Sequence, residues 1–406
     1  MMTKARDLAD STLPTGTTAQ RPSGATGQMR FNTTLADLEF YDGSSWRVVG
    51  VQPTIGSISG DIINGVASNL TITLTNETDT ITARFKEGST LVADVADQSV
   101  SSGSVTVAVP STVYNQTAGD TISVSVLNQD GTASTNSIDK TVASLPSGGT
   151  VVTSGGYRFH TFTSSGTFVV PASRSVEALI VAGGGNGGSD RGAGGAGGAF
   201  TETKTLSAGN YTVTVGGAQS NSSVTGNVNY TTAIAGGAGG AYQSNGSSGG
   251  SGGGGGVSSG SGGAGTSGQG NAGGGSGGNY ASGGGGGKGG AGTSGSSGLN
   301  GGVGGTGSNF GGASNWATPT CTGDNGYYAS GGGGGNAAGG GGGTASDGGG
   351  GAGYERVHAT GLTKIDGTNA NGQANTGGGA GGAGGAINGQ PGASGGSGIV
   401  ILKYSV

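Results

Sequence analysis

The chain has little of what catalytic and metal-binding sites commonly use. Among its 406 residues there is one cysteine, Cys321, and there are two histidines, His160 and His358. A single cysteine excludes an intrachain disulfide framework and a cysteine metal site. Two histidines are too few for a histidine-rich metal site. We therefore expect no bound metal and no cofactor, and we interpret both histidines as strand or loop residues.

Charge and long apolar runs are also scarce. Only 9% of the residues are charged, and the net charge is −5. The absence of a basic excess argues against a nucleic-acid partner. No run approaches the roughly 18 apolar residues of a membrane span, and residues 1–7 lack the apolar core of a secretory signal. We therefore expect the chain to be made in a cytoplasm.

Glycine is what the chain has in excess, and its distribution divides the sequence. Of 103 glycines, 17 lie in residues 1–182 and the remaining 86 follow. After residue 171 the only prolines are Pro319 and Pro391, and glycine does not recur strictly at every third position, so collagen is excluded. Disorder is the compositional default for such a sequence. The alternative is a stack of polyglycine II helices.

Packed polyglycine II helices suit the pattern for a physical reason. Such a helix has three residues per turn and no internal hydrogen bonds, so its amides must bond to neighbouring helices. Close packing leaves no room for side chains at most positions, which favours glycine. Alanines spaced three apart, at Ala193, Ala196 and Ala199 and at Ala380, Ala383 and Ala386, would share one edge of a helix.

Residues 146–406 also carry strand signals that would form a base for these helices. The sequences 157–162 and 166–171 alternate apolar and polar residues, and 200–206 with 210–215 form a further strand pair. The sequences 176–181 and 399–404 are nearly continuous apolar runs. These patterns predict a small sheet or sandwich. Its expected core consists of Phe159, Phe162, Phe168, Leu179, Val181, Val213, Ile399 and Ile401.

The sequence of the first 145 residues predicts two further β regions. Residues 51–145 contain about seven short strands separated by turn signals, which predicts an immunoglobulin-like β-sandwich without a cysteine pair. Residues 1–50 contain a short helical pattern at 4–10, then a hairpin and a third strand around the Asp42-Gly43 turn. So small a unit cannot bury its aromatic residues alone, and we expect it to self-associate or dock on a partner.

Three resemblances follow from particular motifs. The Gly27-Gln-Met-Arg-Phe-Asn strand with the Tyr41-Asp-Gly-Ser-Ser-Trp turn resembles a module of tailed-bacteriophage fibres and other virion appendages. Pro53-Thr-Ile-Gly-Ser-Ile, Leu70-Thr-Ile-Thr, Val107-Ala-Val-Pro and the strand from Ile122 resemble the immunoglobulin-like modules of plexins and transcription factors. The motifs from Tyr157 to Pro171, Val181 to Gly185 and Gly396 to Tyr404 resemble glycine-rich domains, including phage tail-fibre adhesins.

These resemblances imply an all-β virion protein with three domains. Residues 1–50 would attach to other phage structural proteins and form a homotrimer, residues 51–145 would be a spacer, and residues 146–406 would be a glycine-rich tip. The tip would bind a host surface glycan or outer-membrane protein without catalysis. The alternative is a head decoration or head-fibre protein. Location would be the virion, assembled in the host cytoplasm.

Candidate site residues interrupt the glycine or lie in the first module. For receptor binding we expect exposed aromatics on loops, because they bury much area at small entropic cost. A polysaccharide depolymerase would instead need a carboxylate pair, and the acids available are Asp190, Asp324, Asp347, Glu355 and Asp366. The expected receptor-binding residues are Tyr280, Phe310, Trp316, Tyr327, Tyr328, Tyr354 and Arg356, and the expected virion-attachment residues are Lys4, Arg6, Leu8, Phe31, Phe40 and Trp46.

Overall fold

The structure is a computed structural model that describes residues 13–34, 37–49, 52–129, 131–189, 191–297, 300–336, 341–354, 370–383 and 393–406. The chain divides into two compact units, Met1–Leu145 and Pro146–Val406. Regular structure is almost entirely β-strand, which confirms the all-β prediction. The α-helices of the described residues are two short ones, α1 (Ser111–Tyr114) and α2 (Ala317–Thr320). None of the described helices has the length and hydropathy that crossing a membrane requires.

The first unit begins with a small four-stranded sheet in the order β1-β2-β3-β4. Strand β1 pairs parallel with β2, and the other pairs are antiparallel. The predicted turn after β3 forms around Asp42, whose Oδ1 accepts the N–H groups of Ser44 and Ser45 at 2.8 Å each. The strands are β1 (Thr15–Gly16), β2 (Met29–Asn32), β3 (Asp37–Tyr41) and β4 (Trp46–Val48).

Two further sheets of the first unit enclose one core. Their orders are β5-β6-β9 and β11-β10-β7-β8. Ile122, Val124 and Val126 alternate inward from β10, as the period of two in a strand requires. The strands are β5 (Thr54–Ser59), β6 (Asn69–Thr75), β7 (Thr80–Glu87), β8 (Thr90–Ser99), β9 (Ser104–Ala108), β10 (Thr121–Asn128) and β11 (Ile138–Thr141).

The second unit has a β base of two sheets, ordered β12-β13-β19-β15-β16 and β14-β17-β18. The last strand inserts between β13 and β15, with Ile401 opposite both Thr161 and Leu179. All eight residues expected in the core are buried. The strands are β12 (Thr150–Ser154), β13 (Tyr157–Phe162), β14 (Gly166–Val170), β15 (Arg174–Val181), β16 (Ala199–Leu206), β17 (Gly209–Thr214), β18 (Ser223–Thr225) and β19 (Ile399–Ser405).

The glycine runs pack as a lattice joined by backbone hydrogen bonds, in the pattern of polyglycine II. The N–H of Gly283 donates to Gly255, that of Gly284 to Thr293 and that of Gly285 to Gly332, which are three different runs. The N–H of Gly286 then returns to the first of them, at Gly252. A helix with three residues per turn directs successive amides in three directions and repeats at the fourth residue.

The lattice has little space for side chains. A Cβ placed on Gly285 would lie 2.0 Å from the carbonyl oxygen of Gly194, and one on Gly254 would lie 2.0 Å from that of Gly283. Contacts below 3.0 Å essentially never occur for real Cβ atoms. Ala196 and Ala199 are tolerated because they pack in the core cluster that includes Leu179 and Val181. Ala386 lies outside the described residues.

The lattice has two ends. The first two runs form a hairpin in which the N–H of Ala182 bonds to Gly198, that of Gly185 to Gly195 and that of Gly188 to Gly192. Its turn therefore lies opposite the end that joins β15 and β16. We call the end that adjoins these strands the base end, and the end with the turn 188–192 the far end.

Candidate functional site

Hydrogen bonds place three more turns at the far end. The N–H of Gly192 donates to Gly240, and the N–H of Gly240 donates to Gly254. The turns that follow these residues, 241–245 and 257–261, therefore lie beside the turn 188–192. The N–H of Ser258 donates to the carbonyl of Gly278 at 2.9 Å. This bond adds the turn 276–281 to the same surface.

Two exposed tyrosines stand on these turns. Tyr242 is 56% exposed and Tyr280 is 50% exposed. Both follow runs whose amides bond to neighbouring runs, so the turns are held by the lattice. Tyr280 belongs to the expected receptor-binding set, and the structure places it on a free surface. An exposed aromatic ring on a rigid support can bury much area at small entropic cost.

Tyr242, like Tyr230, is an aromatic residue that interrupts the glycine, but it does not belong to the expected receptor-binding set. Tyr230 and Tyr242 both lie in the glycine-rich half, and the sequence does not show which of them is exposed. In the structure Tyr230 is buried and its hydroxyl donates to the carbonyl of Val176 at 2.8 Å. Burial raises the pKa of Tyr230, and the nearby Glu202 carboxylate raises it further. Tyr230 is therefore a core residue, whereas Tyr242 faces solvent.

The interruption at 309–330 lies at the base end and is folded against the base. Trp316 is only 1% exposed and packs in one cluster with Phe159, Leu179 and Ile401 of the five-stranded sheet. The Lys403 ammonium lies 4.2 Å from the centroid of the Trp316 ring. The expectation that Trp316 contacts a receptor is therefore corrected, because its ring completes the core of the base.

Tyr328 needs the same correction. It is fully buried, and its hydroxyl lies 2.6 Å from the hydroxyl oxygen of Thr322. Burial raises the pKa of Tyr328, although this hydrogen bond opposes the rise. Phe310 is half-buried beside it, with ring centroids 6.4 Å apart, and Tyr327 is also half-buried. The segment thus covers the sheet.

Tyr354 lies at the far end of the lattice. Its N–H donates to Gly382, and the Asn336 N–H donates to the Tyr354 carbonyl. The ring is half-buried against Ala370, Ala380 and Ala393, so only part of it is available to a partner. Arg356, the last of the expected receptor-binding residues, lies outside the described residues.

The carboxylates available for glycan cleavage have structural partners. Asp324 Oδ2 accepts the N–H groups of Gly348 and Gly349 at 3.1 Å each. Asp347 Oδ1 accepts an N–H of Asn325 at 3.0 Å. These bonds join the segment 309–330 to the turn at 344–350. The other three candidate acids, Asp190, Glu355 and Asp366, lie outside the described residues.

The far end also has a groove of about 390 Å³ beside the Tyr280 turn. It is lined by residues 258–262 and by Gly275, Ser276 and Gly278, and none of its lining residues is charged. Among the described residues, no three His, Cys, Asp or Glu side chains converge on a point where a metal ion could bind. The expectation of no cofactor remains a prediction.

The N-terminal sheet buries charged side chains on one face and exposes apolar side chains on the other. Met29, Phe31 and Phe40 are exposed, and Met29 lies directly opposite Phe40 in the strand register. On the other face Arg30 and Glu39 are buried. We call Met29, Phe31 and Phe40 the apolar face.

The charged side chains on the buried face form an ion-pair cluster, which compensates for their burial. Glu39 Oε2 lies 2.7 Å from Arg21 Nη2, and Glu39 Oε1 lies 3.3 Å from Arg30 Nε. Burial alone would raise the pKa of Glu39, but hydrogen bonds from Arg21 and Asn32, with the arginine charges, hold it below its ordinary value. Trp46 is half-buried, with the Arg30 guanidinium 5.7 Å from its ring centroid. Lys4, Arg6 and Leu8 lie outside the described residues.

Comparison with known proteins agrees with the architecture of the second unit. A family model described as a glycine-rich domain matches residues 161–405, which is more than half of the chain. The match extends from β13 through the lattice to β19. No curated protein and no solved structure matches the chain.

Proposed function

This chain belongs to the glycine-rich domain family, and we propose that it is a structural protein of a phage virion, a tail fibre or spike, that binds the host cell surface. Binding is by the far end of the lattice and involves no catalysis. The order of segments supports this proposal: a small four-stranded sheet, a unit of two β-sheets and a glycine-rich domain. The sheet orders β5-β6-β9 and β11-β10-β7-β8 are compatible with an immunoglobulin-like spacer.

The observation that carries the binding function is the pair of exposed tyrosines on neighbouring far-end turns. Tyr242 and Tyr280 are held by a lattice in which the backbone amides bond between runs. Such a support is rigid because most positions admit no side chain and no change of spacing. A partner can therefore bury both rings without first ordering the turns, which reduces the entropic cost of binding.

The apolar face of the N-terminal sheet supports the attachment role of residues 1–50. Exposed aromatic side chains opposite a covered ion-pair cluster indicate a surface that is buried in an assembly. We assign this surface to a homotrimer contact, with other phage structural proteins as further partners. A head decoration or head-fibre protein would use the same module, and the position of residues 1–50 in an assembled particle distinguishes the two.

Cell binding by the purified full-length protein tests the proposal. We expect labelled wild-type protein to bind at least one strain in a panel of bacteria, and the double variant Tyr242→Ser, Tyr280→Ser to lose at least tenfold in affinity. Tyr157→Ser is the matched control, because Tyr157 is an exposed tyrosine on β13 of the base. Equal binding by the double variant and wild type would exclude the far end as the contact surface.

A further inference from the structure

The far-end groove has a chemical character of its own. Its hydroxyl groups come from Ser258, Ser259, Ser261 and Ser276. Ser276 Oγ is engaged with the Gly278 carbonyl at 2.9 Å. The hydroxyls of the other three make no hydrogen bond to any protein group in the described part of the chain. Each is therefore free to donate one hydrogen bond and accept two.

The backbone adds a donor to this surface. Gly262 lines the groove, and its N–H has no acceptor among the residues that the structure describes. Its neighbour in the run, Gly263, donates to Gly253 at 2.8 Å within the lattice. The Gly262 N–H is therefore an unpaired donor at the groove. The free hydroxyls and this amide line the same groove.

The two tyrosine turns adjoin the groove, although neither tyrosine lines it. Tyr280 follows Gly278, which lines the groove, by two residues. The turn that carries Tyr242 is joined to the serine turn, because the Ser261 N–H donates to Asn245 Oδ1 at 2.9 Å. Exposed aromatic rings therefore stand on the turns next to a row of hydroxyls. An aromatic ring offers an apolar face, whereas serine offers hydrogen bonds.

We infer that this groove binds one or two sugar units of a neutral surface glycan. A sugar ring has hydroxyls around its edge, which suit the serine hydroxyls of the groove. Its faces carry C–H groups, which suit the tyrosine rings on the adjoining turns. The groove volume of 390 Å³ falls within the range of roughly 300–1,000 Å³ for small-ligand sites. No lining residue carries the positive charge that an acidic sugar would require. The inference rests on the proposed host-surface function and specifies its ligand.

A printed array of neutral and acidic oligosaccharides, probed with the full-length protein, is the first test. We expect capture by neutral oligosaccharides and weaker capture by acidic ones. Isothermal titration with the neutral oligosaccharide that binds most tightly should then show at least a tenfold loss for the double variant Ser259→Val, Ser261→Val. Ser189→Val is the control, because Ser189 is an exposed far-end serine that does not line the groove. Both variants should keep the wild-type circular dichroism spectrum.

Three outcomes overturn the inference: no capture of neutral oligosaccharides, tighter capture of acidic ones, or unchanged affinity in the groove variant. The cell-binding experiment separates this failure from failure of the proposed function. If the tyrosine double variant loses cell binding while the Ser259→Val, Ser261→Val protein binds cells like wild type, the far end contacts the host without using the groove. If both variants bind cells like wild type, the assignment of the far end as the host-binding surface is wrong.

Discussion

The Lys403 ammonium lies 4.2 Å from the centre of the Trp316 ring, so the last strand holds the longest interruption of the glycine lattice against the base. The same ammonium lies 3.2 Å from Glu177 Oε2 on the neighbouring strand. A cation over an indole face is attracted by the negative potential of the ring. The segment 309–330 is therefore part of the folded base and not a free tip loop.

Trp316→Ala should destabilise the second unit by about 3–5 kcal/mol, the cost typical of removing a large buried aromatic side chain. Urea unfolding monitored by circular dichroism measures this loss. Trp316→Phe is the milder control, because it keeps an aromatic face over Lys403 and should cost less. An unchanged unfolding midpoint in the alanine variant would contradict the assignment of Trp316 to the core.

Gly285→Ala tests whether the lattice is packed. The new Cβ would meet the Gly194 carbonyl oxygen at 2.0 Å, so two runs would have to separate. We expect a loss of about 2–3 kcal/mol or more, as for overpacked interiors. Gly217→Ala is the matched control, because a Cβ at Gly217 meets nothing within 4 Å. Equal melting temperatures for the two variants would show that Gly285 is not closely packed.

His160 should make the stability of the second unit depend on pH. Burial lowers the pKa of His160, and the Arg158 charge lowers it too, against the opposing hydrogen bond to Gly148. The unfolded chain therefore binds a proton at a higher pH than the folded one. The stability that the second unit gains from keeping His160 neutral is fully present above pH 6.5, the ordinary pKa of histidine. It is lost as the pH falls from 6.5 towards the lowered pKa of His160.

Urea titrations between pH 8 and pH 5, in a Trp46→Phe background, follow this effect through Trp316 fluorescence. Trp316 is then the only tryptophan, since the chain has two. His160→Gln cannot titrate, so it should be less stable at high pH but should show a flatter pH dependence. Parallel plots of unfolding free energy against pH for the two proteins would show that His160 does not contribute to the pH dependence.

The apolar face should control self-association. Phe31→Ser with Phe40→Ser removes two exposed aromatic rings from the N-terminal sheet. We expect sedimentation equilibrium to report a trimer for wild type and a monomer for this variant. Leu91→Ser, at an exposed apolar position on β8, is the control and should stay trimeric. A wild-type monomer at micromolar concentration would refute the homotrimer.

Much of the fold followed from local patterns. The alternation in β10 and the apolar runs of β15 and β19 identified strands and core residues, since burial on one or both faces leaves a period that the sequence shows. The lattice was predictable too, because only glycine can be closely packed on all sides of an extended helix. The candidate site was less predictable. Tyr280 was expected on an exposed turn and is exposed, whereas Trp316 and Tyr328 were expected on exposed loops and are buried. Tyr242 was not in the expected binding set, although it is the more exposed of the two far-end tyrosines.

The sequence by itself determined the all-β class and the strands of the base, because strand periodicity depends on residues near one another in the chain. For the glycine runs it indicated packed helices but left disorder as an alternative, because the bonds that hold the lattice join distant segments. Only the tertiary structure decided which interruptions face solvent. Each glycine run is antiparallel to the run before it, so successive turns alternate between the base end and the far end. An aromatic residue in a turn is therefore core or surface according to the order of the runs, and this order depends on hydrogen bonds between distant segments.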